Sequence, residues 1–293
     1  MYYTTLNDYL KEKFGSKVIK LSLDGHNSCP NRNNNQGGCI FCSSRGAGEF
    51  TSGHLTIREQ VEFQKSFMAK KWKSDKYIAY FQNFTNTYGD INRLKKMYNE
   101  IIDMDGIVGL AIATRADCLS DEVMEMLEDL NKKTFLWLEL GLQTVNEETI
   151  KLINRGYSHK VFEEGVSKLK KANIRFLTHV IYGLPYETRE DYLNTLEYVC
   201  EIKPFGVKFH SLYIQRDSKL FDFYLEKEIK LITKDEYVQM VCDSLERLPK
   251  DIVVHRITGD PDRKLHIAPM WCRDKLKMIS EIHSELKRRK FNK

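Results

Sequence analysis

The chain has 293 residues, 42% hydrophobic and 30% charged, with a formal net charge of +5. That is ample for a large core and fits one α/β barrel domain, while the mildly basic balance falls short of a DNA-coating protein. No apolar stretch reaches the roughly 18 residues that argue for a membrane helix, and the N-terminus has neither the basic nor the apolar region of a signal peptide. The seven cysteines are an odd number, and Cys118, Cys200, Cys242 and Cys272 are scattered singly. A disulfide framework is excluded on this pattern, and a reducing cytoplasm is the expected location.

In chain order, residues 17–23 read as a first strand, followed at once by a loop with three cysteines. Residues 56–72 carry a helical pattern, and 77–81 are a second strand. A helix is expected over 92–104 and a buried strand over 106–114. Ser120 caps a helix over 121–130, and 135–140 form the fourth strand. Ser158 caps a helix over 160–172, and 174–182 form the fifth strand. Thr188 with Asp191 has the form of a capping box, opening a helix to about 201; 207–214 is the sixth strand. Thr233 with Glu236 opens another helix to about 248. A short strand over 252–257, a polar loop and a last amphipathic helix over 275–290 complete the chain.

Six strands alternating with helices imply parallel βαβ units, either an incomplete β/α barrel or an open doubly wound sheet. Both bind ligands at the carboxyl ends of their strands. The polar residues of interest fall there: the cysteine loop after strand one, Gln82 and Asn83 after strand two, and Thr114 and Arg115 after strand three. Gly141 to Thr144 follow strand four, Gly183 to Pro185 follow strand five, and His210 lies inside strand six. Residues 1–215 are read as the core and 216–293 as an extension that contacts the substrate. The basic run 287–293 suits either phosphate contact or a solvated helix end complementing the helix dipole.

Cys29, Cys39 and Cys42 can hold three irons of a [4Fe–4S] cluster and leave the fourth open. With His26 they also make a four-ligand set for a structural zinc, and spacing alone leaves both readings open. Three features favour the cluster. Gly37 and Gly38 let backbone wrap closely, Phe41 supplies an aromatic wall, and the loop sits at the ligand-binding end of the strands.

Cys-x9-Cys-x2-Cys after the first strand of such a chain resembles the radical S-adenosylmethionine (SAM) superfamily, in the spacing of its elongator-catalytic-subunit branch. Glu139 to Thr144, Arg155 to Tyr157 and His179 to Thr188 resemble motifs of that branch and of the oxygen-independent coproporphyrinogen oxidases. The Cys-Pro-Asn-Arg run at 29–32, with the segments 81–88, 113–119 and 255–260, resembles the bacterial YtqA/YhcC (MnmL-type) subgroup. The resemblance spans nearly the whole chain and implies a partial (β/α)6 barrel with a C-terminal α/β extension.

It also implies a [4Fe–4S] cluster on Cys29, Cys39 and Cys42, binding SAM and splitting it to a 5′-deoxyadenosyl radical. Gln143 resembles the glutamine that contacts the SAM ribose, and Arg155 the arginine that pairs with the methionine carboxylate. Gln82 and Asn83 replace a glycine-rich strand end and are candidates for the SAM amino group. His179 stands where the porphyrin branch has an acidic ribose contact. Arg115 completes the cofactor-binding set, with Thr114, Glu139 and His210 as further cleft candidates. The plainer readings are an ordinary salt bridge for Arg155, strand-end bonding for Gln143 and a core histidine for His179. The subgroup implies work on the tRNA wobble uridine, from its carboxymethylaminomethyl to its aminomethyl form. The implied partners are tRNA, a flavodoxin or ferredoxin, and a companion methyltransferase; Trp271, Tyr213 and Phe223 are candidate RNA-stacking rings. A radical SAM enzyme on a small molecule or peptide, and a zinc-bearing RNA-binding protein, are the rivals.

Overall fold

The computed structural model describes residues 2–33, 37–46 and 51–291, with the side chain of Phe291 excepted. The strands are Val18–Leu23 (β1), Lys76–Phe81 (β2), Ile107–Thr114 (β3), Phe135–Gln143 (β4), Arg175–Tyr182 (β5), Gly206–Ser211 (β6), Ile214–Gln215 (β7), Val253–Arg256 (β8) and His266–Ala268 (β9). The α-helices are Leu6–Phe14 (α1), Ile57–Ala69 (α2), Ile91–Ile102 (α3), Asp121–Lys133 (α4), Glu147–Leu152 (α5), His159–Lys171 (α6), Arg189–Ile202 (α7), Lys219–Glu226 (α8), Lys234–Arg247 (α9) and Lys275–Phe291 (α10). Among the described residues, no helix is long and apolar enough to cross a membrane.

Seven parallel strands form a half-barrel in the order β1-β2-β3-β4-β5-β6-β8. Each strand is a short apolar run, and each crossover is an amphipathic helix that covers the outer face. Leu21, Phe81, Ile112, Leu138, Val180 and Phe209 meet the helices there in one continuous core. The helix starts follow from local chemistry. Ser120 and Ser158 accept from the backbone three residues on, while Thr56, Thr188 and Thr233 each form a reciprocal box with Glu59, Asp191 and Glu236. Each cap satisfies amides that the helix itself leaves open.

The inner face is filled differently at its two ends. Val18, Ile78, Trp137 and Leu177 pack with Leu10 of α1 at the amino-terminal end. Tyr9 meets the Phe205 ring at 5.1 Å, and Phe14 meets Phe135 at 5.8 Å. The Val254 amide donates to the Thr4 carbonyl at 2.9 Å, tying the start of the chain to the last strand. The half-barrel is therefore plugged below and open above.

Two expectations change. The sixth strand ends at Ser211, and Ile214–Gln215 leaves the barrel to pair antiparallel with β9. The short strand near 253, expected within the extension, joins the barrel sheet beside β6 as its seventh member. The basic tail also finds partners. Arg289 binds Asp243 at 2.8 Å, Glu246 at 2.9 Å and Glu285 at 3.0 Å, and Arg288 binds Glu285 at 2.7 Å. Arg289 thus fastens α10 to α9, while Arg288 pairs within α10; residues 292 and 293 of the expected run lie outside the described residues.

Candidate active site

One cavity of about 240 Å³ opens at the carboxyl ends of the strands, and Cys29, Cys39 and Cys42 all line it. The loop that carries them is stapled by its own polar residues. The Asn31 amide donates to the Asn154 carbonyl at 2.6 Å and to Cys39 Sγ at 3.6 Å. The Arg32 guanidinium donates to the carbonyls of Cys42, Ser43 and Ser44. The backbone of Ile40 bonds Ile153 on one side and Leu220 on the other. Gly37 and Gly38 have φ of +74° and +76°, which a side chain would strain. At Gly156 (φ +84°) a Cβ would stand 2.3 Å from Asn31 Oδ1, so the staple needs a glycine there.

The thiols suit iron. A hydrogen bond from Cys42 brings Cys39 down to about 7 against the effect of burial, with help from Arg115 and Asn31. The same bond, and burial, push Cys42 well up; a thiol gives up its proton when it binds iron. Among the described residues, no three of the His, Cys, Asp and Glu side chains converge on a single ion. His26 takes no part in the cavity, and its Nε2 lies 3.2 Å from the Leu55 carbonyl. The four-ligand zinc set is therefore not assembled, while three thiols around one cavity fit a cluster.

The other sequence candidates divide. Gln82, Thr114, Arg115, Glu139, Gln143, His179 and His210 line the cavity. Gln143 sits at φ +66°, and its Oε1 is buried without a partner. Arg115 grips Asp117 at 2.8 Å and the Arg155 carbonyl at 2.9 Å, with its guanidinium over the Tyr157 ring. Asn83 lies off the wall; its amide donates to Asp24 at 2.6 Å and to Thr51 at 3.1 Å, bracing the cysteine loop. Arg155 is 2% exposed and also off the wall. It donates to the carbonyls of Leu142 at 2.6 Å and Tyr157 at 3.2 Å, leaving Nη2 unpaired. Its contacts within the chain are a strut under the end of β4. Of the three candidate stacking rings, only Tyr213 lines the cavity. Trp271 donates to the Ile232 carbonyl and packs on the core, and Phe223 packs in the apolar cluster under α8.

Sequence reasoning missed the lysines. Glu139, 1% exposed, is the centre of a buried network. It accepts from Tyr80 at 2.8 Å, Trp137 at 3.2 Å and His179 at 2.9 Å. Lys208 bonds it directly, and Lys20 stands 3.5 Å away. Burial pushes the carboxyl up, but the charges of Lys20 and Lys208 and the His179 bond outweigh it and hold Glu139 well below the usual range. Burial brings His179 down to about 4. The available signal was a lysine inside each of two apolar runs, at the inward position of a parallel strand.

This architecture is that of a cluster-bearing half-barrel enzyme, and the chain belongs to the radical SAM superfamily. The superfamily model matches residues 26–199, and the radical SAM C-terminal domain model matches 204–288. The chain is 44% identical over 291 residues to the uncharacterized protein YtqA of Bacillus subtilis, covering 98% of this chain and 90% of that one. A probable threonylcarbamoyladenosine tRNA methylthiotransferase of Methanocaldococcus jannaschii is 35% identical over 128 residues, 41% of this chain and 30% of that one. In fold it is similar to the archaeal Elp3 of Methanocaldococcus infernus (TM-score 0.69, 17% identity), covering 93% of this chain and 63% of that one. The protein is a radical SAM enzyme, and its cofactors are a [4Fe–4S] cluster and SAM.

Proposed function

We propose that the enzyme acts on the wobble uridine of tRNA, taking the carboxymethylaminomethyl side chain to the aminomethyl form. The observation that carries this reading is the cavity itself: Cys29, Cys39 and Cys42 line it together with Glu139, which pairs with Lys20 and Lys208. Cys29, Cys39 and Cys42 hold the cluster, with Gln82, Gln143 and Arg115 on the wall as the SAM-binding set. When bound, these cofactors supply the one-electron chemistry that removes a hydrogen atom from a substrate carbon.

The chain's residues do the rest. The plug of α1 and the apolar inner face close the barrel from below and keep water from the reacting carbon. Glu139, tied to β1, β2, β5 and β6, fixes the side chains around it. Asn83 and Arg155 position the cysteine loop and the end of β4.

Exposed cations lie on two segments next in sequence to cavity-lining residues, Ser43 and Gln215. The Ser44 amide donates to Asp217 at 3.0 Å, joining the segment that carries the exposed Arg45 to the segment that carries the exposed Arg216 and Lys219. Such cations suit phosphates, and the tRNA-modifying relative supports an RNA substrate. Residues 216–293 are the substrate-contacting part, and a flavodoxin or ferredoxin supplies the electron. The aminomethyl product goes on to a companion methyltransferase.

Nucleoside analysis of tRNA from a strain lacking the gene tests the reading. The carboxymethylaminomethyl form should accumulate and its methylaminomethyl descendant disappear. Unchanged wobble nucleosides would remove the RNA assignment and leave the enzyme class standing.

A further inference from the structure

The amino-terminal end of the half-barrel, opposite the cavity, concentrates charge that the candidate site does not use. Residues 11–17, at the end of α1, and 70–76, running from α2 into β2, hold seven lysines against Glu12 and Asp75. That excess of five equals the formal net charge of the whole chain, +5, so the rest of the sequence is neutral in sum. The next acids, Asp103 and Asp105, precede β3, on the side of β2 away from β1.

Three contacts make one surface of the two segments. Ser74 Oγ donates to the Lys17 carbonyl at 2.5 Å, and the Lys76 ammonium donates to the Phe14 carbonyl at 2.7 Å. Lys17 Nζ stands 3.1 Å from the centre of the Trp72 ring. Lys71 lies over Phe67 at 5.6 Å, and Phe67 stacks on Phe63 at 6.4 Å. Phe63, Phe67 and Trp72 are all exposed on the outer side of α2 and its end. Among the described residues, no carboxylate pairs with any of the seven lysines. Earlier on α2 the charges are matched: Arg58 pairs with Glu100, and Lys65 with Glu62. The rings hold the ammonium groups in place without neutralising them.

Such a surface calls for a polyanion. A lipid surface would draw the exposed rings into hydrocarbon and strip water from the ammonium groups seated on them, which is costly. An acidic electron donor has to dock against the cluster. The cysteine loop is at the other end of β1, whose six residues span about 20 Å. RNA meets neither objection: its phosphates bond ammonium groups in water, and its bases stack on aromatic rings. Helix α2 runs from the cysteine-loop end to this surface over 13 residues, again about 20 Å. An arm of about ten base pairs covers that length.

We infer that the surface formed by residues 11–17 and 70–76, with the rings of α2, holds the sugar-phosphate backbone of the RNA substrate at a distance from the reacting base. The inference rests on the reading of the substrate as tRNA and names where its backbone lies.

The test uses the anaerobic holoenzyme and a full-length tRNA transcript with uridine at the wobble position, titrated by fluorescence anisotropy at several salt concentrations. Lys70→Gln, Lys71→Gln and Lys73→Gln combined in one protein should weaken binding at least tenfold at about 0.1 M salt and lower the slope of log Kd against log salt by about two to three. Arginine at the same three positions should keep both values. The matched loss of charge elsewhere, Lys160→Gln, Lys170→Gln and Lys171→Gln on the exposed side of α6, should leave the slope unchanged. Iron content checks that each variant is folded and loaded. An unaltered slope in the first variant, or an equal fall in the α6 variant, would overturn the inference and leave the wobble-uridine reading standing. A first variant that keeps its tRNA affinity but no longer binds phosphatidylserine vesicles would overturn it in favour of a lipid surface. No tRNA binding by the unaltered enzyme would overturn both.

Discussion

Replacing Lys208 with methionine removes the cation that bonds Glu139 directly. Breaking a buried pair from one side costs about 3–5 kcal/mol when the remaining charge is uncompensated. Here Glu139 keeps Lys20 at 3.5 Å and three hydrogen bonds, from Tyr80, Trp137 and His179. The loss should therefore sit at the low end, about 3 kcal/mol. Adding Glu139→Gln removes the orphaned charge, and the amide still accepts from Tyr80 and Trp137. Lys20, with 24% of its side chain exposed, reaches water. The double variant should thus lose only about 1–2 kcal/mol. Urea unfolding of the four proteins in the cycle, read by circular dichroism without oxygen, gives the coupling directly. A loss below about 1 kcal/mol for Lys208→Met, or a double variant as weak as the sum of the singles, would refute the picture of one buried carboxylate held by this cation.

Gly156→Ala should destabilise the protein by about 1–3 kcal/mol and lower its iron content, since the new Cβ meets Asn31 at positive φ; iron analysis at full occupancy would contradict the staple. Stability should also depend on His179. Its folded pKa, about 4, lies below the ordinary 6.5, so its contribution is complete above pH 6.5 and disappears as the pH falls towards 4. Urea midpoints from pH 7 to 4 should therefore fall less in His179→Gln than in the unaltered protein; parallel curves would remove this assignment. Arg289→Ala should cost about 1–3 kcal/mol through the loss of Asp243, Glu246 and Glu285, yet leave the salt slope of RNA binding unchanged. A slope reduced by about one would mean that this arginine contacts phosphate.

The barrel was legible because each of its first six strands is a short apolar run and most of its crossover helices announce a cap. The cysteine loop was legible because thiols at that spacing have few uses. Helix α1 was not: its segment is mostly polar, only Leu10 is buried, and its place under the barrel is set by rings far along the chain. The strand β8 was visible, but a parallel strand does not carry the identity of its neighbour in its own residues. The hydrogen bonds of Arg155 to the carbonyls of Leu142 and Thr144 were not legible, because they follow only from the fold. Lys20 and Lys208 were passed over because a lone cation in an apolar run does not reveal that the strand turns it inward to Glu139.

Anaerobic reconstitution, with iron and sulfide counted and SAM turnover followed, addresses the central claim most directly. The three-thiol site predicts about four irons per chain, a brown protein, and 5′-deoxyadenosine formed from SAM on reduction. All three should be lost in Cys39→Ala and kept in His26→Ala. A colourless protein holding one zinc that His26→Ala releases, and forming no 5′-deoxyadenosine, would contradict the account.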